Sequence, residues 1–177
     1  MEKEMLDRAL RRVAKGHNDA LETIYTQTSS AVYAYILSIV KNTEDAEDIL
    51  QDTYVKVCLN ADQYQSQGKP MAWILTIARN LSLMKLRTHK RVADLQDYEW
   101  EAIVDESAGF NTEDRMVLDA ALAGVSEEES QIVILHAVAG LKHREIADML
   151  DMPLATVLSK YNRALKKMRR IIEGDER

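Results

Sequence analysis

The sequence predicts an all-α protein of two small helical modules joined by an acidic linker, and three observations carry that prediction. The first is punctuation: 177 residues hold only six Gly and two Pro, too little turn chemistry for a run of short strands. The second is periodicity, because apolar residues recur at helical spacing through most of the chain. The third is charge. Residues 94–129 contain twelve carboxylates and one cation, Arg115, a net of −11, so the formal −6 of the whole leaves +5 elsewhere. The acidic stretch also contains "DESAGFNTED", the most loop-like composition in the chain. The modules are therefore set at 1–93 and 113–177, with a linker at 94–112.

Composition narrows the class. An apolar content of 46% with 29% charge belongs to a globular protein and is too apolar for wholesale disorder. The longest near-apolar run, "AVYAYILSIV", is half the roughly 20 residues of a membrane span. The opening "MEKEMLDRALRR" mixes charges and has no apolar h-region, so no signal peptide is expected. A single cysteine, Cys58, excludes an internal disulfide and fits a reducing cytoplasm.

In chain order, Leu21, Ile24, Tyr25, Val32, Ile36, Ile39 and Val40 predict a helix over about 18–41. Asn42 or Thr43 can cap the next helix, whose early carboxylates favour the positive end of its dipole. That helix runs to about Asn60. "YQSQGK", with Gly68 and Pro70 beyond it, reads as a loop. Pro70 suits the first turn of a further helix, which continues to about Arg91 with Trp73, Ile74, Ile77, Leu81 and Met84 inward. "EDRMVLDAALAGV", "EEESQIVILHAVAG" and the segment 144–170 propose three or four shorter helices at the C-terminal end.

The last segment, "REIADMLDMPLATVLSKYNRALKKMRR", is the most informative. Ala147, Asp151 and Val157 have the spacing of a helix-turn-helix: a small residue at the crossing, a turn residue four later, an aliphatic six beyond. Asp tolerates the left-handed conformation better than most residues. Residues 152–172 contain six cations and no carboxylate. At 100° per residue, Leu154, Leu158, Tyr161, Leu165, Met168 and Ile172 share one face. Thr156, Lys160, Arg163, Lys167 and Arg170 share the opposite one. Cations aligned along about four turns neutralise phosphates, and Thr156 or Arg163 can reach base edges. A solvated face is the plain alternative, but it lacks the acidic i,i+4 partners that such faces carry.

Other constellations are weaker. "RNLSLMKLRTHKR" holds Arg79, Lys85, Arg87, Lys90 and Arg91 without an acid, and nearby Tyr64 and Trp73 can stack on unpaired bases; the plain alternative buries Trp73. "EDAEDILQD" puts Asp45, Asp48 and Asp52 on one helix face. That is a magnesium site only if a second acidic helix faces it, and otherwise a docking surface for a basic partner or a solvated face. The four histidines and Cys58 show no paired metal-ligand spacing, and no Gly-rich phosphate loop or nucleophile elbow is present. No metal, cofactor or catalytic residue is assigned.

Together these segments resemble the extracytoplasmic-function (ECF) class of the sigma-70 family of bacterial RNA polymerase sigma factors, over about residues 7–172. "EDAEDILQDTYVKV" is similar to the family's region 2.2, "GKPMAWILTIARNLSLMKLR" to regions 2.3–2.4, and the segment 144–170 to region 4.2. The resemblance implies that Asp48, Gln51 and Asp52 bind the clamp helices of the polymerase β′ subunit. It implies that the loop 64–69, with Tyr64 and Lys69, captures a base flipped from the −10 element, and that Arg79, Asn80, Lys85 and Arg87 contact the melted strand. Arg144, Thr156, Ser159, Lys160, Arg163 and Lys167 become the −35 contacts, on a domain that also docks on the β flap. The acidic linker then follows the path toward the RNA exit, and an anti-sigma factor becomes an expected inhibitory partner.

Three departures stand out. Met84 occupies a position where the family often has Asp, Leu158 replaces a common Lys or Arg and is expected to face the core, and "GVSEEE" replaces a frequent Leu-Pro opening. The sequence reading is a cytoplasmic promoter-specificity subunit that is not an enzyme. Its competitors are a helix-turn-helix regulator acting without polymerase, which leaves residues 42–91 unexplained, and a magnesium-dependent helical hydrolase.

Overall fold

The computed structural model describes residues 2–65, 68–93 and 124–173. The predicted linker 94–112 and the helix proposed in "EDRMVLDAALAGV" lie outside them. Among the described residues every regular element is helical, and contacts gather into an N-terminal and a C-terminal unit.

The N-terminal unit begins with α1 (Glu2–Ala14), an element the sequence reading did not assign. It forms because Leu6, Ala9, Leu10 and Val13 share one buried stripe, while Arg11 bridges back to Asp7 at 2.6 Å. Gly16, at φ 86, ends it; only a residue without Cβ turns there freely. Helix α2 (Asp19–Val40) matches the predicted 18–41. Its buried seam runs through Ile24, Thr28, Val32, Tyr35, Ile36 and Ile39. Tyr25, expected among the apolar seam, is 46% exposed and sets its ring 4.8 Å from that of Tyr54.

Asn42 caps α3 (Thr43–Leu59), its side-chain oxygen accepting from the Asp45 amide at 2.9 Å. A short 3₁₀ turn (Ala61–Gln63) follows. Helix α4 (Pro70–Ala93) then packs on α2, α3 and α1 through Ile74, Leu75, Ala78 and Leu81. Each such aliphatic side chain removed from water contributes about 1.5–3 kcal/mol. The Thr28 hydroxyl donates to the Ile24 carbonyl at 2.7 Å, so its contact with Tyr54 Oη at 2.7 Å has the phenol as donor. Two expectations are corrected: Met84 is 57% exposed rather than inward, and Trp73 and Ile77 are only half-buried.

In the C-terminal unit, α5 (Glu127–Val133) starts in a reciprocal Ser126–Glu129 capping box and passes into a π turn (Ile134–Val138). Gly140, at φ 70, leads to α6 (His143–Leu150). Asp151 adopts φ 53, with its amide bonded to the Ala147 carbonyl, and α7 (Leu154–Ile172) follows. This is the helix-turn-helix with its turn on the predicted residue. Ile132, Leu135, Leu141, Ile146, Val157 and Ala164 fill its centre.

Candidate nucleic-acid interface

On α3 the exposed side carries Asp48, Gln51 and Asp52, which border the groove between α3 and α4. The same stripe, at i, i+4, i+7 and i+11 from Asp48, continues into Val55 and Leu59, which are 56% and 73% exposed. The exposed side of α3 therefore joins carboxylates to open aliphatic side chains, a composition suited to a protein partner. Sequence reading found the acids and missed the two apolar residues, because Val55 and Leu59 look like core at helical spacing.

Asp45 lies against α4. Lys85 Nζ lies 3.0 Å from its Oδ1 and 3.9 Å from Asp48 Oδ2, and His89 Nδ1 is 3.5 Å from Asp45 Oδ2. The Asp45 hydrogen bond holds the Lys85 ammonium above its usual range. Lys85 and His89, with Leu81 and Met84, face Asp48, Gln51 and Asp52 across a groove of 470 Å³ between α3 and α4. Two basic groups stand where a second acidic helix would have to stand for divalent-cation binding, and no cluster of three or more His, Cys, Asp or Glu is grouped for a metal among the described residues. Lys85, expected on DNA, therefore faces the α3 carboxylates.

The exposed edge of α4 carries Thr76, Asn80, Met84 and Arg87, again at intervals that align along a helix. Of the residues expected on the melted strand, Asn80 and Arg87 are exposed on this edge. Arg79 is half-buried; its charge lies near the phenol of Tyr35, whose pKa is raised by burial and drawn back by that charge. Lys69 is exposed. Tyr64 is fixed on two sides: its hydroxyl donates to Asp7 Oδ1 at 2.8 Å, and its ring is 5.3 Å from that of Trp73.

The recognition helix α7 corrects the angular reading. Its buried residues are Val157 and Ala164, flanked by the half-buried Tyr161 and Met168. Small residues permit the closest approach of two helices, so the seam runs through them and the leucines are displaced to an edge. Leu158 and Leu165, expected in the core, are 40% and 41% exposed. Lys160 and Lys167, expected to face DNA, sit on the flank toward α5. There Lys160 pairs with Glu128, and Lys167 Nζ donates to Glu129 Oε2 at 2.8 Å. Thr156 is half-buried on the same flank. The outermost face carries Ala155, Ser159, Asn162 and Lys166, with Arg163 and Arg170 beside it. Asn162 and Lys166 were missed, although counting angles from Val157 rather than from the leucines would have found them. Arg144 is exposed on α6.

Glu129 organises this flank. Its side chain is 2% exposed, accepts from Lys167, receives the Ser126 amide at 2.9 Å, and has Arg163 Nη1 at 3.7 Å. Burial raises its pKa, but the Lys167 hydrogen bond and the cap outweigh it and hold the carboxyl below its usual range. Nearby, the His136 and His143 rings stack at 4.0 Å, and both meet Tyr161 edge-on. His136 Nδ1 donates to the Leu141 carbonyl at 2.7 Å. Among the described residues, His143 Nε2 is buried without a hydrogen-bond partner.

Comparison with known proteins follows the same division into two units. The family described as sigma-70 region 2 matches residues 24–92, and that described as sigma-70, region 4, matches residues 115–168. The ECF RNA polymerase sigma factor SigK of Mycobacterium ulcerans (strain Agy99) is 27% identical over 177 residues, covering 96% of this chain and 94% of the relative. SigK of Mycobacterium tuberculosis (strain ATCC 25177 / H37Ra) is 26% identical over 175 residues, covering 95% and 94%. Among solved structures, the sigma factor RpoE of Bartonella quintana, crystallised with the anti-sigma factor NepR, superposes with a TM-score of 0.75 at 22% identity, covering 90% of this chain and 99% of that one. CnrH, in complex with the cytosolic domain of CnrY, gives 0.65 at 18% identity, covering 97% and 99%. Both region matches, in this order, on a chain whose fold and relatives agree, place it in the extracytoplasmic-function class of the sigma-70 family.

Proposed function

We propose that this chain is an alternative sigma factor: it joins core RNA polymerase, directs it to promoters with −35 and −10 elements, and helps to open the DNA. The observation that carries the reading is the pairing, on one chain, of an acidic and apolar docking face on α3 with a cation-bearing helix-turn-helix. A DNA-binding regulator needs only the second.

In this reading Asp48, Gln51 and Asp52 engage the β′ clamp helices, with Val55 and Leu59 extending the contact. Tyr64, Lys69 and Trp73 receive an unstacked base, and Asn80 and Arg87 hold the melted strand. Opening a few base pairs costs several kcal/mol, which stacking at about 1–3 kcal/mol per base offsets. On the −35 side Ser159, Asn162 and Arg163 address base edges, while Lys166 and Arg144 address phosphates. Lys160 and Lys167 tether α7 to α5. The domain units are 1–93 and 113–177, with 94–112 as the linker. The protein works in the cytoplasm and is not an enzyme, since polymerase forms the bonds; an anti-sigma factor is its expected inhibitor. No helix among the described residues is long and apolar enough to cross a membrane.

The test is copurification with core polymerase. Asp52→Ala should lower the recovered complex severalfold while the free protein's binding to duplex −35 DNA stays unchanged. Undiminished recovery of the Asp52→Ala complex removes the docking assignment, and a wild-type chain that binds DNA but never polymerase makes it a stand-alone regulator.

A further inference from the structure

We propose that Asp7, on α1, is a positioning residue for capture of melted promoter DNA, acting as a latch on Tyr64 and through it on Trp73. The inference rests on the reading of the loop 64–69 given above. Helix α1 lies before residue 24, where the region 2 match begins, so that match assigns it no part.

The geometry is a relay of two contacts. Tyr64 Oη donates to Asp7 Oδ1 at 2.8 Å, across 57 positions of sequence. The Tyr64 ring then stands 5.3 Å from the Trp73 ring, inclined at 58°. Tyr64 also closes the 3₁₀ turn in extended conformation, φ −69 and ψ 110, where the chain enters the loop. Trp73 sits in the first turn of α4, where the chain leaves it. One carboxylate on α1 thus fixes a ring at the entrance of the loop and, through it, a ring at the exit.

The charge arrangement fits that work. Arg11 Nη2 donates to Asp7 Oδ2 at 2.6 Å, so the carboxylate is neutralised on its outer side and adds little repulsion toward a DNA backbone. Its side chain is 13% exposed, which shields the bond to Tyr64 from competing water. Arg11 occupies only Oδ2 of Asp7, and a half-buried phenol could turn toward solvent. Joining the two orients the aromatic pair before any base arrives. A base gains its full stacking energy only on a platform that is already ordered, because otherwise ordering the side chains is subtracted from binding.

The experiment uses the full chain assembled with core polymerase. The probes are forked DNA with an unpaired non-template −10 strand and a duplex containing the −35 element. Both come from a promoter selected out of a randomised pool by wild-type run-off transcription. Asp7→Ala should weaken forked-DNA binding about tenfold, the scale of one lost charge-assisted hydrogen bond, and leave duplex −35 binding and core recovery at wild-type levels. Asp7→Asn keeps an amide oxygen for Tyr64 but loses the charge and sets its NH2 against Arg11, so it should recover only part of the loss. Because Tyr64→Phe cuts the same link, Asp7→Ala/Tyr64→Phe should bind no worse than Asp7→Ala. The latch is refuted if Asp7→Ala binds forked DNA like wild type, if the two losses multiply, or if all probes weaken alike. Trp73→Ala separates the levels: if it weakens forked binding and Asp7→Ala does not, only the latch falls. If Trp73→Ala has no effect, the loop reading falls and the latch with it.

Discussion

Replacing Glu129 with alanine removes three contacts at once: the reciprocal cap with Ser126, the hydrogen bond from Lys167, and the charge beside Arg163. A lost N-cap interaction costs about 1 kcal/mol. The Lys167 contact is charge-assisted, but Lys167 is 41% exposed, so solvent screening limits it to about 1 kcal/mol. The sum is about 2 kcal/mol. Hydrogen-exchange mass spectrometry of the full chain, followed in peptides from 127–172, should show exchange about thirtyfold faster. Peptides from 19–59 should not change. Glu129→Gln keeps an acceptor for the cap and loses only the charge, so its cost should be about 1 kcal/mol. The pH dependence gives a second reading. The folded pKa of Glu129 lies below its ordinary value of 4.5, so the folded state binds fewer protons than the unfolded one between the two values. Its contribution is therefore full above pH 4.5 and is lost as the pH falls through the folded pKa. The gap between wild type and Glu129→Gln should close over that range. Exchange in Glu129→Ala within about 0.5 kcal/mol of wild type would show that α7 is held by Val157 and Ala164 alone.

Three further outcomes follow. Lys166→Ala should reduce the slope of log affinity against log salt for duplex −35 DNA by about one, whereas Lys160→Ala should leave the slope unchanged; the reverse result would return the DNA face to the flank of α7. Burial, then the charge of His136, pulls the His143 pKa below 6.5, so the folded state resists protonation there. Stability of the C-terminal unit should accordingly fall as the pH drops below 6.5, by at most about 1.4 kcal/mol per pH unit, and His143→Gln should flatten this in hydrogen exchange between pH 7.5 and 5.5. Asp151→Gly should raise stability of the same unit by about 0.5 kcal/mol, because φ 53 is costly for a residue with a Cβ. A lower melting temperature would mean that the Asp151 side chain contributes more than its backbone costs.

Much of the architecture was written locally. Helices α2, α3 and α4 and the turn at Asp151 follow from periodicity, caps and a single left-handed residue, each decided within a few positions of the chain. The family followed from the order of three such segments, and the exposed acids of α3 were legible in the same way. Helix α1 escaped because its apolar stripe is only Leu6, Ala9, Leu10 and Val13 among many charges. What the tertiary structure decided are the relations between elements. The rotation of α7 depends on Val157 and Ala164 reaching the core ahead of bulkier leucines, which helical spacing cannot rank. Lys85 turned to Asp45, and Lys160 and Lys167 to Glu128 and Glu129, because a cation settles on the nearest carboxylate in space. Tyr64 met Asp7 across 57 positions for the same reason: periodicity records which face of a helix is apolar, and only packing chooses which neighbour that face meets.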